Sequence, residues 1–589
     1  MPVRMRAEQL RNPYWYAANG EAEAARQFWD MAYWDGVLST LAAEGYNAVL
    51  YLPEPWQGHA WQTFLIRHDE FPEARDMPPG EYDRVIAQVK RIFRRAHELG
   101  LKNFLWSYFS VTTPAYARAH GMDRELPVSE SVDYRHNLPE MGFHFGVRNE
   151  ATRAFTEAAV AEVFKTYGDL DGLCGGMGEA LPGKRSTWFR EAIVPGLKRC
   201  GRNPAFIVDD WMLPLQDFLD DIARPRVYEN TWLSIKANGE VFTDPQPYPD
   251  ALRWAREARM PVLVQVMNLN IEANFPFNSA RLAHETVEEL RRVPNCAGYV
   301  SWFLSSNPNT LFRHALGRYG KTGEGYSDGP WVDVLAGRYG SREAGEHLLR
   351  AFDASARIPA DLCAFAWLPQ DIGRSQILML PYWHWTLEDP RWGHLTSPAR
   401  SADLLPLRHY ARVVAKHGDR FRDHGGADPR RNTDHPGAQE LIWGLTRYPT
   451  TPEAHMRQLR RLGDECAASA ERALPHVRTN RDEAQRLCDY MKAYQLLTRY
   501  YEQKVLAATA ASIYAFGGGA KYRDDALAHA DAAVARYEEA IQFIEKHIDR
   551  GAGTVRGRWG KTLTLPQLIE HEREERRRLP ELFHWPKEP

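Results

Sequence analysis

The sequence predicts an α/β fold: a (β/α)8 TIM barrel over residues 1–340, followed by an all-α C-terminal domain over 341–589. Three observations carry this. Short, largely apolar segments alternate with helix-like stretches or long loops eight times before residue 310. Near-continuous apolar character marks strands covered on both faces, and βα repetition marks a parallel sheet. No glycine-rich phosphate loop follows the first segment, as an open nucleotide-binding sheet would require. After residue 340 the strand signal gives way to long amphipathic segments.

Taken in order, the first strand is expected at 12–17 (NPYWYA), followed by a helix over 28–44 whose apolar residues Tyr33, Trp34, Val37, Leu38 and Leu41 fall at helical spacing. Gly45 is placed to end it as a left-handed cap. A second strand at 47–53 leads through a Trp- and His-rich loop to a helix over 81–99, with Val85, Val89, Ile92, Phe93 and Ala96 on one face. Then come a strand at 102–108, a long loop, a helix at 150–166 and a strand at 170–174. The second half repeats the rhythm, with strands at 205–209, 226–232, 261–266 and 298–303 and helices at 187–199, 215–222, 250–258 and 280–292. Beyond the barrel, 452–474, 481–516 and 524–548 read as long helices. Leu487, Met491, Tyr494, Leu497, Tyr501 and Val505 form one apolar stripe, read as bundle core.

Composition narrows the function classes. With 589 residues, 44% hydrophobic, 26% charged and a net charge of −3, the chain can bury full cores and has no electrostatic footprint for nucleic acid. No apolar run approaches the length of a membrane helix, and the N-terminus lacks a secretory signal pattern. The six cysteines are scattered without a CxxC pair, so a reducing cytoplasm is the expected compartment unless a signal has been removed. His59, His68, His136 and His144 lack metal-site spacing, and neither a metal nor a cofactor is expected. The expected partner is a carbohydrate, with self-association through the helical domain as an open question.

In such a barrel the active site lies at the carboxyl ends of the strands. Those ends carry Glu54 and Trp56, then Trp106 and Tyr108, then Glu179, then Asp210 and Trp211 beside Asp209. Glu229 and Trp232, Asn268, Asn270 and Glu272, and finally Trp302 complete the candidate set. Carboxylates and amides suit sugar hydroxyls, and indole faces suit the ring C–H groups. Of the adjacent pair Asp209 and Asp210, at most one side chain faces the site. Glu179 follows Gly175, Gly176 and Gly178 and is the candidate general acid, because an apolar, desolvated setting raises a carboxyl pKa. Glu272 lies three strands further on and is the candidate partner, acting as base on water with inversion at the anomeric carbon. A metal-dependent sugar isomerase or epimerase, and a non-catalytic carbohydrate-binding relative, are the competing classes.

These motifs resemble the α-glucuronidases among the glycoside hydrolases. Glu179-Ala-Leu-Pro182-Gly183 is similar to the pattern that holds that family's acid. Gln265-Val-Met-Asn268-Leu-Asn-Ile-Glu272 reproduces the spacing of its base, with Glu in place of Asp. Thr112-Thr113-Pro114, after the third strand, is similar too. The resemblance implies exo-acting glycosidic bond cleavage in a small oligosaccharide or glycoconjugate. Gly175 stands where the family has a lysine, so a neutral sugar, or an acidic sugar held differently, is expected over an ordinary terminal 4-O-methylglucuronate. The aromatic stretch 381–394 is expected to close the pocket as a lid, and loops 56–79 and 110–147 to wall it.

Overall fold

The computed structural model describes residues 2–11, 22–52, 61–106, 111–122, 144–145, 150–176, 185–210, 213–236, 247, 249–266, 276, 278–302, 310–366, 451–515, 517–548, 554–556 and 562–584. Eight parallel strands close a barrel: β1 (Met5–Arg11), β2 (Ala48–Leu52), β3 (Lys102–Trp106), β4 (Gly172–Gly175), β5 (Ala205–Asp209), β6 (Thr231–Ile235), β7 (Val262–Val266) and β8 (Cys296–Trp302). Each follows the last in space, and β1 pairs with both β8 and β2. The expected fold is the observed one.

The first strand is not where composition put it. It runs over Met5–Arg11, and residues 12–17 lie outside the described residues. Charges at Arg6 and Glu8 disguise it, because they point to the helix side, where polar partners await them. Arg6 Nε donates to Gly45 O at 2.6 Å, and the Glu8 carboxylate accepts from the Ser301 hydroxyl. Residues Met5, Ala7 and Gln9 alternate with them into the barrel. The sixth strand is also displaced, starting at Thr231 instead of ending at Trp232. Val227 and Tyr228 mimic a strand, but Arg226 has φ +48 and ends a turn there.

Closure depends on one glycine. Met5 pairs with Gly298, and a Cβ there would stand 1.8 Å from Met5 O. Backbone cannot yield as a side chain would, so Gly298→Ala is expected to cost about 3 kcal/mol, the upper end for overpacking, or to prevent folding. Chemical denaturation of the purified variant, or its solubility if none can be purified, checks this.

The helices pack outside. Helix α1 (Met31–Glu44) is capped at Asp30, whose carboxylate accepts from Ala32 N at 2.9 Å, and at Gly45 with φ +102. That cap splits the single helix expected over 28–44, leaving a separate helix at Ala22–Trp29. Helix α2 (Pro79–Glu98) buries Val85, Val89, Ile92, Phe93 and Ala96 as its periodicity requires. Next come α3 (Glu150–Thr166), α4 (185–199), α5 (215–223), α6 (Pro249–Ala258), α7 (Ala280–Leu290) and α8 (Thr310–Thr322). In the third loop, Thr112 joins a two-residue ladder with His144, and Thr113 Oγ1 caps a short helix by accepting from Tyr116 N at 3.1 Å. His68 is buried, its ring stacked on Phe155.

Beyond the barrel lie α9 (Gly329–Tyr339), α10 (Arg342–Ala366), α11 (Pro452–Ala473), α12 (Arg481–Ala515), α13 (Ala520–His547) and α14 (Leu565–Arg578). All six residues of the predicted α12 stripe are buried. A short hairpin, Thr554–Arg556 against Thr562–Thr564, adds strand where none was expected. The helical region grips the barrel just past the seventh strand's loop. The Tyr494 hydroxyl donates to Pro276 O at 3.2 Å, and Ser279 Oγ to Asp353 Oδ1 at 2.5 Å.

Candidate active site

The register shows which side chains share a level inside the barrel. Gln9 lies opposite Leu50, and Leu50 opposite Phe104; two residues up the third strand is Trp106. The same step from Trp106 passes Cys174 and Ile207 to reach Asp209. From Asp209 it passes Ser234 and Leu263 to reach Gln265, and from Gln265 it passes Val300 and Ala7 back to Gln9. Four inward residues from alternate strands make one layer, the packing rule of this barrel. The same step puts Ala7, Phe104, Ile207 and Leu263 on the next level down these strands, and all four are buried and apolar. Polarity is thus concentrated at the carboxyl end.

Within the polar layer, Trp106 Nε1 donates to Asp209 Oδ2 at 3.4 Å. Burial, reinforced by the Asp209 charge, pushes the neighbouring Cys174 thiol well above its ordinary pKa, so it is an inert filler. Gln9 is 0% and Gln265 2% exposed. Both atoms of each terminal amide are buried, and among the described residues neither amide has a hydrogen-bond partner.

Asp209, not Asp210, is the inward member of that pair. Asp210 Oδ2 instead accepts from Lys236 N at 3.0 Å, holding the end of β6 against β5. Continuing the β6–β7 pairing by one residue puts Lys236 opposite Gln265. Alternation past Trp232 and Ser234 then gives Lys236 the inward position. By the same stepping it lies one level up, and Trp302, the last residue of β8, is paired in register with Gln9. On the fourth strand that level belongs to Gly176, which adds no side chain. Just before it, Gly175 ends β4 with φ +156, a conformation open to glycine.

Two candidates belong elsewhere. Glu229 precedes β6 at the amino end of the barrel, and its side chain is 70% exposed and paired with Arg226 at 2.9 Å. Trp232 is only the second residue of β6. Its Nε1 donates to Asn230 Oδ1 at 3.1 Å, and Arg4 covers its ring. A strand begun five residues and ended three residues too early puts both at the mouth. The same error hides Lys236, and the misplaced first strand hides Gln9. Alternation in TWLSIK and in MRAEQL is the signal that would find them. Glu54, Trp56, Tyr108, Glu179, Trp211, Asn268, Asn270 and Glu272 lie outside the described residues, as does the aromatic stretch 381–394.

No protein-family model matches the sequence, and no curated protein matches it. Among solved structures, the chain is similar to a GH138 enzyme targeting pectin rhamnogalacturonan II. The TM-score is 0.75 at 16% identity, over 99% of this chain and 84% of that one. The fold is therefore shared from the barrel through the helical region. A GH20 β-N-acetylglucosaminidase (11% identity, 55% of this chain, 70% of that one) and GH5_18 from Streptomyces cattleya in complex with GlcNAc (14%, 55% and 82%) align with TM-scores of only 0.37 and 0.35, too low to carry an argument.

Proposed function

We propose that this chain is a glycoside hydrolase using two carboxyl groups, Glu179 as general acid and Glu272 as general base on water, with inversion at the anomeric carbon. The observation that carries the reading is the barrel order. Glu179 follows the end of β4 by four residues and Glu272 follows the end of β7 by six, so both come in the sequence shortly after the carboxyl end of a barrel strand, where such barrels keep their active sites. Fold likeness along 99% of the chain to an enzyme targeting a pectic glycan supports the same class. A pair of carboxyl groups is the common equipment for this bond: one protonates the leaving oxygen while the other activates water.

The substrate reading follows from Lys236. Gly175 lacks the lysine that would hold a glucuronate in the resembling family, but Lys236 brings a cation to the mouth from the sixth strand. A carboxylate in a dry pocket needs such a partner. The proposed glycone is therefore an acidic sugar, held from β6. A panel of aryl uronides and neutral aryl glycosides, in both anomers, tests this: release is expected from a uronide. In Lys236→Met, KM for that uronide is expected to rise about 10- to 100-fold, the worth of a charge-assisted hydrogen bond. Release from neutral glycosides alone would contradict the acidic-sugar reading, and release from none would contradict the hydrolase reading.

A further inference from the structure

Gln9 and Gln265 stand out as buried amides that have no hydrogen-bond partner among the described residues. A side-chain amide buried without partners is destabilising, and native interiors keep such groups rare. Barrel interiors are ordinarily filled by apolar side chains such as Val, Ile and Leu, and the next level down on these strands is apolar here: Ala7, Phe104, Ile207 and Leu263. Two such amides occupy one layer, on the first and seventh strands, at the end of the barrel where catalysis is expected. Trp106 and Asp209 in that layer satisfy each other. The amides do not, although each offers two donors and an acceptor.

We propose that Gln9 and Gln265 are substrate-contacting residues: a neutral donor–acceptor floor that hydrogen-bonds hydroxyl groups of the bound sugar. This rests on the glycosidase reading and assigns that site the polyhydroxylated face of a pyranose. A hydroxyl both donates and accepts, as a primary amide does, so two amides flanking β8 match neighbouring ring hydroxyls without demanding a charge on them. The division of labour is then a cation, Lys236, for an acidic group and two amides for hydroxyls. With no partner among the described residues, the amides are left to sugar or to the water it displaces, which places their stability cost in the service of binding.

The test compares Gln9→Leu, Gln265→Leu and the shortened Gln9→Asn and Gln265→Asn with the wild-type chain. Two quantities are measured: Tm, and kcat/KM on the best aryl glycoside of the panel. Leucine removes a buried unpaired amide while keeping the volume, so Tm is expected to hold or rise in both leucine variants. The kcat/KM is expected to fall about 10- to 100-fold in each, as loss of a hydrogen bond to substrate predicts. A fold that loosened would lower both together. Unchanged kcat/KM in the leucine variants would overturn the proposal and leave the glycosidase reading standing. If the wild-type chain hydrolyses nothing on the panel, the glycosidase reading fails by itself. The amides are then read from the Tm rise that galacturonate, glucuronate, galactose or rhamnose gives. A rise in wild type that both leucine variants lose supports the floor, and a rise they keep, or no rise with any of the four, overturns it.

Discussion

Glu179→Gln is expected to retain the fold and to lose about 10²–10⁴-fold in rate on substrates with poor leaving groups, the usual worth of general acid catalysis. Glutamine keeps the size and the hydrogen-bonding shape of glutamic acid but has no proton to give. The loss should shrink as the leaving group improves, because a dinitrophenolate departs without protonation whereas a sugar hydroxyl does not. A series of aryl glycosides of falling leaving-group pKa therefore separates the loss of an acid from the loss of binding. Equal losses along the series would assign Glu179 to substrate binding, and near wild-type rates throughout would remove it from the site. Gly175, the last residue of β4, has φ +156, and Gly176 leaves the fourth strand's place in the upper level without a side chain.

The largest expected stability effect lies far from the mouth. Lys504 on α12 is 1% exposed at its side chain and sits between Glu572 and Glu575 of α14, themselves 4% and 1% exposed. Its ammonium donates to both Glu572 oxygens, at 2.7 and 2.6 Å, and to Glu575, while the Tyr500 hydroxyl donates to Glu572 at 3.0 Å. Burial outweighs the neighbouring carboxylate and holds the Lys504 pKa below its ordinary value. Removing the Lys504 cation leaves two carboxyl groups buried without it, so Lys504→Met should destabilise the helical region by about 3–5 kcal/mol. Exposed pairs such as Arg576 with Asp531 should contribute less than about 1 kcal/mol each. A chain of this length need not unfold in one step. The measurement is therefore hydrogen exchange of α14 amides in the folded chain, where protection should fall in Lys504→Met and remain in Asp531→Ala. Unchanged α14 protection in the methionine variant would show that the cluster does not hold that helix.

How much of the fold is legible in the sequence depends on what each strand buries. Those at Ala205–Asp209 and Val262–Val266 are apolar on both faces apart from Asp209 and Gln265, and their expected bounds agree within a residue. The first strand escapes notice because Arg6 and Glu8 look solvated in sequence, yet they are satisfied between barrel and helices by Gly45 and Ser301. The sixth is displaced because Val227 and Tyr228 have strand-like side chains while the backbone at Arg226 turns left-handed. Each error of register misplaces a candidate residue, since alternation decides which side chains enter the barrel. Glu229 and Trp232 go to the amino end, and Gln9 and Lys236 come into view. Layering across alternate strands is a property of the closed barrel, so the set Gln9, Trp106, Asp209 and Gln265 is not visible in any one stretch of the chain. The barrel is legible in single stretches of the chain; the layer of Gln9, Trp106, Asp209 and Gln265 is not.

The central claim is that one barrel mouth, armed with Glu179 and Glu272, hydrolyses glycosidic bonds. It is tested most directly by measuring new reducing ends released from a pectic oligosaccharide by the wild-type chain and by the Glu179→Gln, Glu272→Gln and double variants. The account predicts release by the wild-type chain, a large loss in each single variant and little further loss in the double variant, because residues that act as a unit are not additive. Release by the double variant at the wild-type rate would contradict it.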